Sequence, residues 1–366
     1  MKIERLSLIV GARPNFVKAA PLLKALKQRD RFKVRLIHTG QHFDADMSKV
    51  FFDQLSMPEP DLYLGINQGS PVEQIAKVMI ALETEFIKNQ DDLVVVFGDV
   101  NSTLAASLAA SKLHIPIAHV EAGLRSYDRT MPEEHNRVAT DHLADYLFTP
   151  SKDADKNLDN EGLSKEKIFR VGNIMVDSLL RFAPVAKQST ILDEYQLSEQ
   201  SYGLVTLHRQ ANVDEPEALD EILGALAEIG TQIPLLFPVH PRTRQQLQKL
   251  GWIARLEAQR VRLTPPLGYL EFIKLMMHAR VILTDSGGIQ EESTVLGVPC
   301  ITVRANTERP ITISEGTNIL AGISGPGMLN AFREVMNQKI PEPKNIDLWD
   351  GKTAERIAEI LVGLAD

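Results

Sequence analysis

The run Asp285–Glu292, which reads DSGGIQEE, has the residue types and spacing that most clearly indicate chemistry. It follows the apolar run Val281–Thr284 and leads into a helical pattern, so its glycines lie where a strand would give way to a helix. The free backbone N–H groups at a helix start attract anions, and glycines let a phosphate approach them closely. Glu292 would lie one turn further along, where its carboxylate could accept hydrogen bonds from both hydroxyl groups of a ribose. The run therefore predicts a nucleotide diphosphate as ligand, although Ser286–Gly288 alone is more typical of a tight turn.

Three carboxylates at or near the starts of predicted loops indicate acid–base chemistry: Asp99, Glu121 and Glu133. One such acid would usually be an N-cap or an ion-pair partner. Three acids in one cleft would repel each other, which raises the pKa of at least one carboxyl toward the range that suits proton transfer. Arg137 follows Glu133 by four residues in a predicted helix, so an ordinary salt bridge between the two is the alternative interpretation.

Basic side chains follow several other predicted strands. Arg13 and Lys18 flank the corner after the first apolar run, where they could neutralise a pyrophosphate. The same residue types at the exposed start of a helix would explain this pattern equally well. His208 and His240 end strands in the second half of the chain. Because ligands of open parallel sheets bind beyond the carboxyl ends of the strands, we expect both halves to aim charged groups at one cleft.

No metal ion or bound cofactor is predicted. The histidine pairs His135/His142 and His38/His42 match neither HExxH nor a Cys/His zinc spacing. No GxGxxG run follows a predicted strand, and Gly351–Thr353 lacks the leading glycine of a phosphate-binding P-loop. The sequence therefore disfavours NAD and ATP chemistry.

The composition predicts a soluble, cytoplasmic protein of two domains. The chain has 366 residues, of which 44% are hydrophobic and 24% are charged. The 40 Lys and Arg against 48 Asp and Glu give a formal charge of −8, and no basic run is present, so a nucleic-acid partner is not expected. Cys300 is the only cysteine, which fits a reducing compartment. The apolar run Leu6–Val10 is too short for a signal sequence or a membrane span, so no membrane partner is expected.

Short β-rich runs alternate with helical periodicity, which predicts an α/β fold of parallel sheets covered by helices on both faces. The predicted strands are Leu6–Val10, Val34–His38, Leu93–Phe97, Ile117–Val120, Tyr146–Phe148, Ile168–Val171, Leu204–Leu207, Leu235–Val239, Val261–Leu263, Val281–Leu283 and Pro299–Val303. We expect one domain at residues 1–171 and a second, nucleotide-binding domain at residues 172–350. The pattern does not decide which domain the last helix, within residues 351–366, packs on.

Taken together, eight runs resemble the non-hydrolysing UDP-N-acetylglucosamine 2-epimerases. The runs are Gly11–Lys18 (GARPNFVK), Gly40–Phe43 (GQHF), Gly98–Leu104 (GDVNSTL), His119–Arg125 (HVEAGLR), Pro132–Arg137 (PEEHNR), His240–Arg242 (HPR), Asp285–Glu292 (DSGGIQEE) and Thr307–Pro310 (TERP). The resemblance implies two Rossmann-like domains facing a central cleft, the GT-B-like architecture of many glycosyltransferases, with the C-terminal helix returning to the first domain. It also implies a homodimer and the interconversion of UDP-GlcNAc and UDP-ManNAc, a precursor of bacterial surface polysaccharide.

The resemblance also assigns roles to residues. The diphosphate is held by Arg13, Lys18, His208, Arg309 and the amides of Ser286, Gly287 and Gly288. Glu292 binds the ribose, Phe272 stacks near the uracil, and His240 and Arg137 complete the substrate site. Asp99, Glu121 and Glu133 are the candidates for moving the C2 proton, with the assignment of each acid to one face of the sugar left open.

Three alternatives remain open from the sequence. Close relatives of the family epimerise UDP-2,3-diacetamido-glucuronic acid. A UDP-sugar glycosyltransferase would share the two-domain architecture and the diphosphate corner but would not need the three acids. A catalytically silent UDP-sugar sensor would keep the corner and lose the acids. The chain departs from the family at Ala211, where many members have Glu in His-Arg-x-Glu-Asn.

Overall fold

Parallel strands form two sheets in the part of the chain that the computed structural model describes, residues 3–41, 55, 57–339 and 342–365. The side chain of Arg13 and residues His42 and Phe43 of the GQHF run lie outside this description. In this part of the chain the first sheet has seven strands in the order β3-β2-β1-β4-β5-β6-β7. They are β1 (Arg5–Val10), β2 (Lys33–His38), β3 (Leu62–Tyr63), β4 (Leu93–Phe97), β5 (Ile117–Val120), β6 (Tyr146–Thr149) and β7 (Ile168–Arg170).

Helices cover this sheet because their apolar residues recur once per turn. In Pro71–Asn89 the buried residues Val78, Leu82 and Phe86 are spaced by four and belong to the same core cluster as Val94 and Val96 of β4. Every residue of β4 is buried, as expected of a central parallel strand. The helices that contribute to this half are Arg13–Gln28, Pro71–Asn89, Asn101–Lys112, Pro132–Leu143, Lys152–Asn160, Ile174–Ala186 and Thr353–Ala365, with a 3-10 turn at Lys165–Lys167.

The second sheet has six strands among the described residues, in the order β10-β9-β8-β11-β12-β13. They are β8 (Gly203–Thr206), β9 (Leu235–Pro238), β10 (Val261–Thr264), β11 (Val281–Thr284), β12 (Cys300–Thr302) and β13 (Asn318–Leu320). Its helices are Ile191–Glu194, Gln210–Val213, Pro216–Gln232, Pro241–Lys249, Trp252–Ala258, Tyr269–His278, Gly287–Leu296, Ile311–Ser314 and Gly325–Asn337. In both sheets the order reverses beside the first strand, which brings the carboxyl ends of β1 and β4, and of β8 and β11, together.

The chain divides into two compact units, residues 1–181 with 347–366 and residues 182–346. The sequence placed the boundary after Val171, whereas the division falls ten residues later, after Arg181. The reason is that Ile174–Ala186 begins on the first unit, where the Ser178 hydroxyl donates a hydrogen bond to the Val17 carbonyl. The last helix, Thr353–Ala365, belongs to the first unit and packs on Arg13–Gln28.

The prediction of an α/β fold with parallel sheets is confirmed. Two strands were missed, β3 and β13, because runs of two and three residues are too short to show a period. The helix Gly325–Asn337 was also missed, since its Gly-Pro-Gly start is typical of a loop. Ser324 nevertheless caps this helix by accepting a hydrogen bond from the Gly327 N–H. Within the described ranges, no helix combines the length and apolar character that crossing a membrane requires.

Candidate active site

Lys18 and Glu121 form a buried ion pair at the carboxyl ends of β1 and β5. Glu121 has a φ of 74°, a left-handed conformation that is costly for any residue with a side chain. Its N–H donates to the Phe148 carbonyl at 3.0 Å, which helps to hold this turn. Gly98 also has a positive φ, of 60°, and a Cβ there would lie 2.9 Å from the Lys18 Nζ. The turns after β4 and β5 are thus shaped around one lysine and one carboxylate.

Asp99 follows Gly98, and its carboxylate is paired with a buried arginine. The Arg137 Nη2 lies 2.6 Å from the Asp99 Oδ2, and the Asp99 side chain keeps 30% exposure. Arg137 also pairs with Glu134, three residues earlier in the helix Pro132–Leu143. The salt bridge considered from the sequence was between Arg137 and Glu133, but a helix places both the third and the fourth neighbour on one face, and here Glu134 is the partner. Glu133 is half-buried on the same helix.

Glu134 is a buried acid that the sequence did not single out. It accepts hydrogen bonds from the Ser126 N–H at 3.0 Å, the Ser126 hydroxyl at 2.9 Å and the Tyr127 N–H at 2.8 Å. Burial alone would raise the pKa of Glu134, but these hydrogen bonds and the charge of Arg137 outweigh it and lower the pKa below its usual value. Glu134 is therefore a fixed anion that holds Arg137 in place.

A second group of buried charges lies behind the Glu121 turn. The Asp141 carboxylate accepts hydrogen bonds from the Gly123 N–H at 3.0 Å and from the Arg125 Nη1 at 2.6 Å, and lies 2.6 Å from the His119 Nδ1. Burial would raise the pKa of Asp141, but His119 and Arg125 outweigh it and lower the pKa. No sequence pattern indicated Asp141, because an acid in a polar helix is usually exposed.

In the second unit, Asp285 organises the turn that follows β8. Its buried carboxylate accepts hydrogen bonds from the N–H groups of His208 and Arg209, both at 2.9 Å, and from the Asn212 side chain at 3.2 Å. The His208 Nδ1 lies 2.8 Å from the Asp285 Oδ1, while the imidazole remains 53% exposed. Burial would raise the pKa of Asp285, but His208 and the backbone N–H groups outweigh it and lower the pKa. The second unit thus fixes the orientation of His208.

The helix Gly287–Leu296 begins directly beside a guanidinium group. Ser286 is the N-cap residue, and its side chain does not satisfy the first backbone N–H groups. A Cβ on Gly287 would lie 2.7 Å from the Arg309 Cζ and 2.8 Å from the Glu308 Oε1, so only glycine fits. Gly288 follows in the first turn. A helix start and a guanidinium group together form a strong site for an anion such as a diphosphate.

Two carboxylates hold Arg309 in this position, and the sequence identified neither as a site residue. The Arg309 Nε lies 2.8 Å from the Glu291 Oε1, and Arg309 also pairs with Glu308. Glu308 is buried and pairs with Arg304 at 2.6 Å and with Arg209 at 3.5 Å. Burial would raise the pKa of Glu308, but the three arginines outweigh it and hold the pKa well below its usual range. The TERP run contains Glu308, so a signal for it was present, whereas none existed for Arg304.

Glu292 is buried one turn into the same helix. The Tyr269 hydroxyl donates a hydrogen bond to the Glu292 Oε1 at 3.1 Å. Burial raises the pKa of Glu292 to about 8, so the carboxyl group carries a proton at neutral pH. Phe272 is half-buried on the helix Tyr269–His278, and His240 is an exposed N-cap that accepts a hydrogen bond from the Arg242 N–H at 3.3 Å.

Within each unit the structure brings several of the predicted residues together. The first unit holds Lys18, Asp99, Glu121, Glu133 and Arg137, which suits proton transfer by carboxylates paired with cations. The second unit holds His208, the Ser286–Gly288 corner, Glu292 and Arg309, which suits binding of a nucleotide diphosphate. In the described part of the chain, no three His, Cys, Asp or Glu side chains are grouped so that they could hold a metal ion.

Comparison with known proteins shows the family to which this chain belongs. A family model described as UDP-N-acetylglucosamine 2-epimerase matches residues 24–362. The UDP-N-acetylglucosamine 2-epimerase of Methanocaldococcus jannaschii is 43% identical over 98% of both chains. The UDP-2,3-diacetamido-2,3-dideoxy-D-glucuronate 2-epimerase of Pseudomonas aeruginosa is 42% identical over 97% of this chain and 99% of its own. A crystal structure of the Methanocaldococcus jannaschii UDP-GlcNAc 2-epimerase with UDP-GlcNAc and UDP superposes with a TM-score of 0.91 at 42% identity, covering 98% of this chain and 99% of that one. This protein therefore belongs to the UDP-N-acetylglucosamine 2-epimerase family and is an isomerase.

Proposed function

We propose that the protein interconverts UDP-GlcNAc and UDP-ManNAc by eliminating UDP and adding it back through a 2-acetamidoglucal intermediate. The observation that carries the proposal is the Arg309 guanidinium beside the start of the helix Gly287–Leu296, a site built for the anion that leaves. The Methanocaldococcus jannaschii relative is a UDP-N-acetylglucosamine 2-epimerase whose crystal structure contains UDP-GlcNAc and UDP, which supports the choice of substrate.

The chemistry requires stabilisation of the leaving group. The C2 proton of the sugar has no neighbouring carbonyl to make it acidic. When the C1–O bond breaks, its electron pair leaves with UDP, and the positive charge that develops at C1 makes the C2 proton labile. A base then takes that proton, and the C2–H electrons form the C1=C2 bond of the glucal. Return of a proton to the opposite face of C2, with addition of UDP at C1, gives the epimer. Stabilising the departing diphosphate is therefore the largest catalytic contribution.

The residues of the second unit bind the nucleotide in this proposal. The amides of Ser286, Gly287 and Gly288 contact the diphosphate with Arg309 and His208. Glu292 accepts hydrogen bonds from the ribose hydroxyls and Phe272 stacks on the uracil. His240 and Arg137 are further substrate contacts. Asp285 keeps the exposed imidazole of His208 oriented so that it can donate to a phosphate oxygen.

The acids of the first unit move the C2 proton. Lys18 pairs with the Glu121 carboxylate and Arg137 pairs with the Asp99 carboxylate, so both acids are held at fixed positions in the turns that carry them. Glu133 is the third acid, and its half-buried position leaves it accessible to a ligand. A pair of such groups, one on each face of C2, would serve both halves of the reaction.

The test is to incubate the purified protein with UDP-GlcNAc in deuterated water and follow C2 by NMR. We expect deuterium at C2 in a mixture of both epimers, and a loss of about 10²–10⁴-fold in turnover for Asp99→Asn and Glu121→Gln with UDP affinity unchanged. Glu166→Gln, a change of an exposed acid in the same unit, is the matched control. Unchanged turnover in both acid variants would contradict these roles, and sugar transfer only on addition of an acceptor would favour a glycosyltransferase.

UDP-2,3-diacetamido-glucuronate is the second candidate substrate, because the Pseudomonas aeruginosa relative of that specificity is nearly as similar as the first. Parallel assays with the two UDP-sugars at equal concentration decide between them by the ratio of kcat/KM. A higher kcat/KM for UDP-2,3-diacetamido-glucuronate would make that sugar the substrate in place of UDP-GlcNAc. The proposed mechanism would stay the same.

We also infer a homodimer. The helix Pro71–Asn89 exposes Ile80 at 62% and Ile87 at 61%, and their spacing of seven places both side chains on one face. Burial of this apolar face against a second copy would remove it from water. Sedimentation equilibrium of the wild type measures the mass, and a monomer at micromolar concentration would contradict the inference.

A further inference from the structure

The helix Pro132–Leu143 carries buried charges on one face, which is unusual for a surface helix. Glu134, Arg137 and Asp141 are spaced by three and four residues, and all three side chains are almost completely buried. Charged side chains are rarely buried unless they pair with a partner of opposite charge. Arg137 and Asp141 each reach a turn that carries one of the candidate acids, and Glu134 pairs with Arg137.

Arg137 connects the helix to the Asp99 turn. Its guanidinium group contacts the Asp99 carboxylate, and the neighbouring Asn136 donates a hydrogen bond to the Asp99 carbonyl at 2.9 Å. Both the side chain and the backbone of Asp99 are thus held by adjacent residues of one helix.

Asp141 connects the same helix to the Glu121 turn from both sides. Its Oδ1 lies 2.6 Å from His119, two residues before Glu121, and its Oδ2 accepts a hydrogen bond from the Gly123 N–H, two residues after. Between these two contacts the backbone adopts the left-handed conformation at Glu121. A strained conformation persists only where the surroundings determine it strongly, and Asp141 supplies part of that constraint.

His119 then joins the two turns to each other. Its Nε2 lies 2.8 Å from the Gly98 carbonyl, the residue before Asp99. A carbonyl accepts only, so Nε2 must donate, and the carboxylate at Nδ1 also calls for a donor. His119 therefore contacts the Asp141 carboxylate with one ring nitrogen and the Gly98 carbonyl with the other. Arg125, which bridges Asp141 and Glu161, completes the network.

We propose that Asp141, acting through His119, is a positioning residue that fixes the Asp99 turn and the Glu121 turn relative to each other. The inference rests on the proposed epimerisation, in which both carboxylates must address the same C2 carbon. Asp141 touches neither substrate nor proton in this scheme. Its contribution is geometric, and a displacement of about 1 Å at a reacting group is enough to cost about 10²-fold in rate.

The test is the variant Asp141→Asn, which keeps the shape of the side chain but presents an amide N–H₂ group where His119 needs an acceptor. We expect kcat to fall about 10²-fold while KM and the Kd of UDP stay at the wild-type values. We also expect more free glucal and UDP per epimerised product, because elimination is no longer followed by reprotonation from a correctly placed acid. A role in stability alone would lower only the amount of folded protein, so kcat expressed per folded protein and this partition would both stay at the wild-type values.

Asp177→Asn is the matched control, since Asp177 is also a buried aspartate of the first unit but caps the helix Thr353–Ala365 through the Thr353 and Ala354 N–H groups. We expect it to lower Tm without changing kcat of the folded protein. His119→Gln, which can still donate to the Gly98 carbonyl but cannot bridge to Asp141, is a second variant should Asp141→Asn not fold, and we expect it to give the same fall in kcat.

The outcomes separate the two proposals. Wild-type kcat in both Asp141→Asn and His119→Gln, or a loss of UDP affinity that follows the loss of folded protein, would overturn the positioning role while leaving the function intact. A wild-type protein that places no deuterium at C2 of either UDP-sugar would overturn both.

Discussion

Glu292 and Glu308 are both buried carboxylates of the second unit, yet they differ in charge. Burial raises the pKa of Glu292 to about 8, and the hydrogen bond from Tyr269 offsets only part of that effect. Glu308 is as deeply buried, but Arg309, Arg304 and Arg209 hold its pKa well below the usual range. Depth alone therefore does not decide whether a carboxyl group is ionised, and the partners do.

Glu308 and Glu292 have different roles because one is charged and the other is neutral. Glu308 is a permanent anion that fixes the guanidinium group of Arg309 against the start of the helix Gly287–Leu296. Glu292 carries a proton in the unliganded protein, and a ligand that donates hydrogen bonds to its carboxylate would favour release of that proton. In the proposed function, Glu308 shapes the site of the diphosphate and Glu292 couples ribose binding to pH.

Glu308→Gln is expected to cause the largest loss in the free energy of unfolding. The change leaves three guanidinium groups facing a neutral amide, and removal of one partner of a buried ion pair costs about 3–5 kcal/mol. Urea unfolding should show that loss, and calorimetry should show weaker UDP binding because Arg309 is no longer fixed. Glu342→Gln, at an exposed position of the same unit, is the control. A loss of stability below about 1 kcal/mol would mean that the arginines are satisfied without Glu308.

The next effect is a pH dependence of stability that originates at Glu292. The folded protein keeps this proton up to a pKa of about 8, whereas the unfolded chain loses it near its ordinary value of 4.5. Between these values the unfolded state binds fewer protons, so the free energy of unfolding falls as pH rises, by about 1.4 kcal/mol per unit from this group.

Glu292→Gln removes that dependence. Denaturant unfolding of the wild type and the variant from pH 5 to pH 8 should give a difference that grows with pH in favour of the variant, while UDP affinity is lost at every pH. Parallel curves for the two proteins would show that Glu292 is ionised in the folded state.

The smallest effect is that of Tyr269→Phe, which sharpens the comparison by removing the hydrogen bond to Glu292. That bond favours the charged carboxylate, so its loss should cost about 1 kcal/mol at pH 8 and less at pH 6, where Glu292 is neutral. Denaturant unfolding at the two pH values measures the difference. Equal losses at both values would mean that the hydroxyl acts through packing rather than through the charge of Glu292.

Strand ends and glycine-rich corners were the parts of the site that the sequence could predict. Glu121 follows β5 directly, and Asp99 follows β4 after one glycine. Because ligands of parallel sheets bind at the carboxyl ends of the strands, such positions can be identified from the neighbouring residues alone. The Asp285–Glu292 corner was found for the same reason. Each of these signals is a short run in which residue type and strand end coincide.

The supporting charges were not predictable, because their partners are distant in sequence. Asp141 and Glu134 lie in a polar helix and would be expected on its exposed face, yet they meet His119 and Ser126, which belong to β5 and the loop after it. Arg137 could have paired with either of two acids one turn away, and helix geometry allows both. Only tertiary packing makes that choice.

The second unit, residues 182–346, is one continuous segment inserted into the first, which is completed by the helix Thr353–Ala365. Synthesis proceeds from the N-terminus, so the inserted unit leaves the ribosome whole while the surrounding unit still lacks its last helix. Asp177, which caps that helix, is therefore made before the whole second unit, whereas its partners Thr353 and Ala354 are made after it. The first unit is thus the last to be complete, although its first strand is the first to be made.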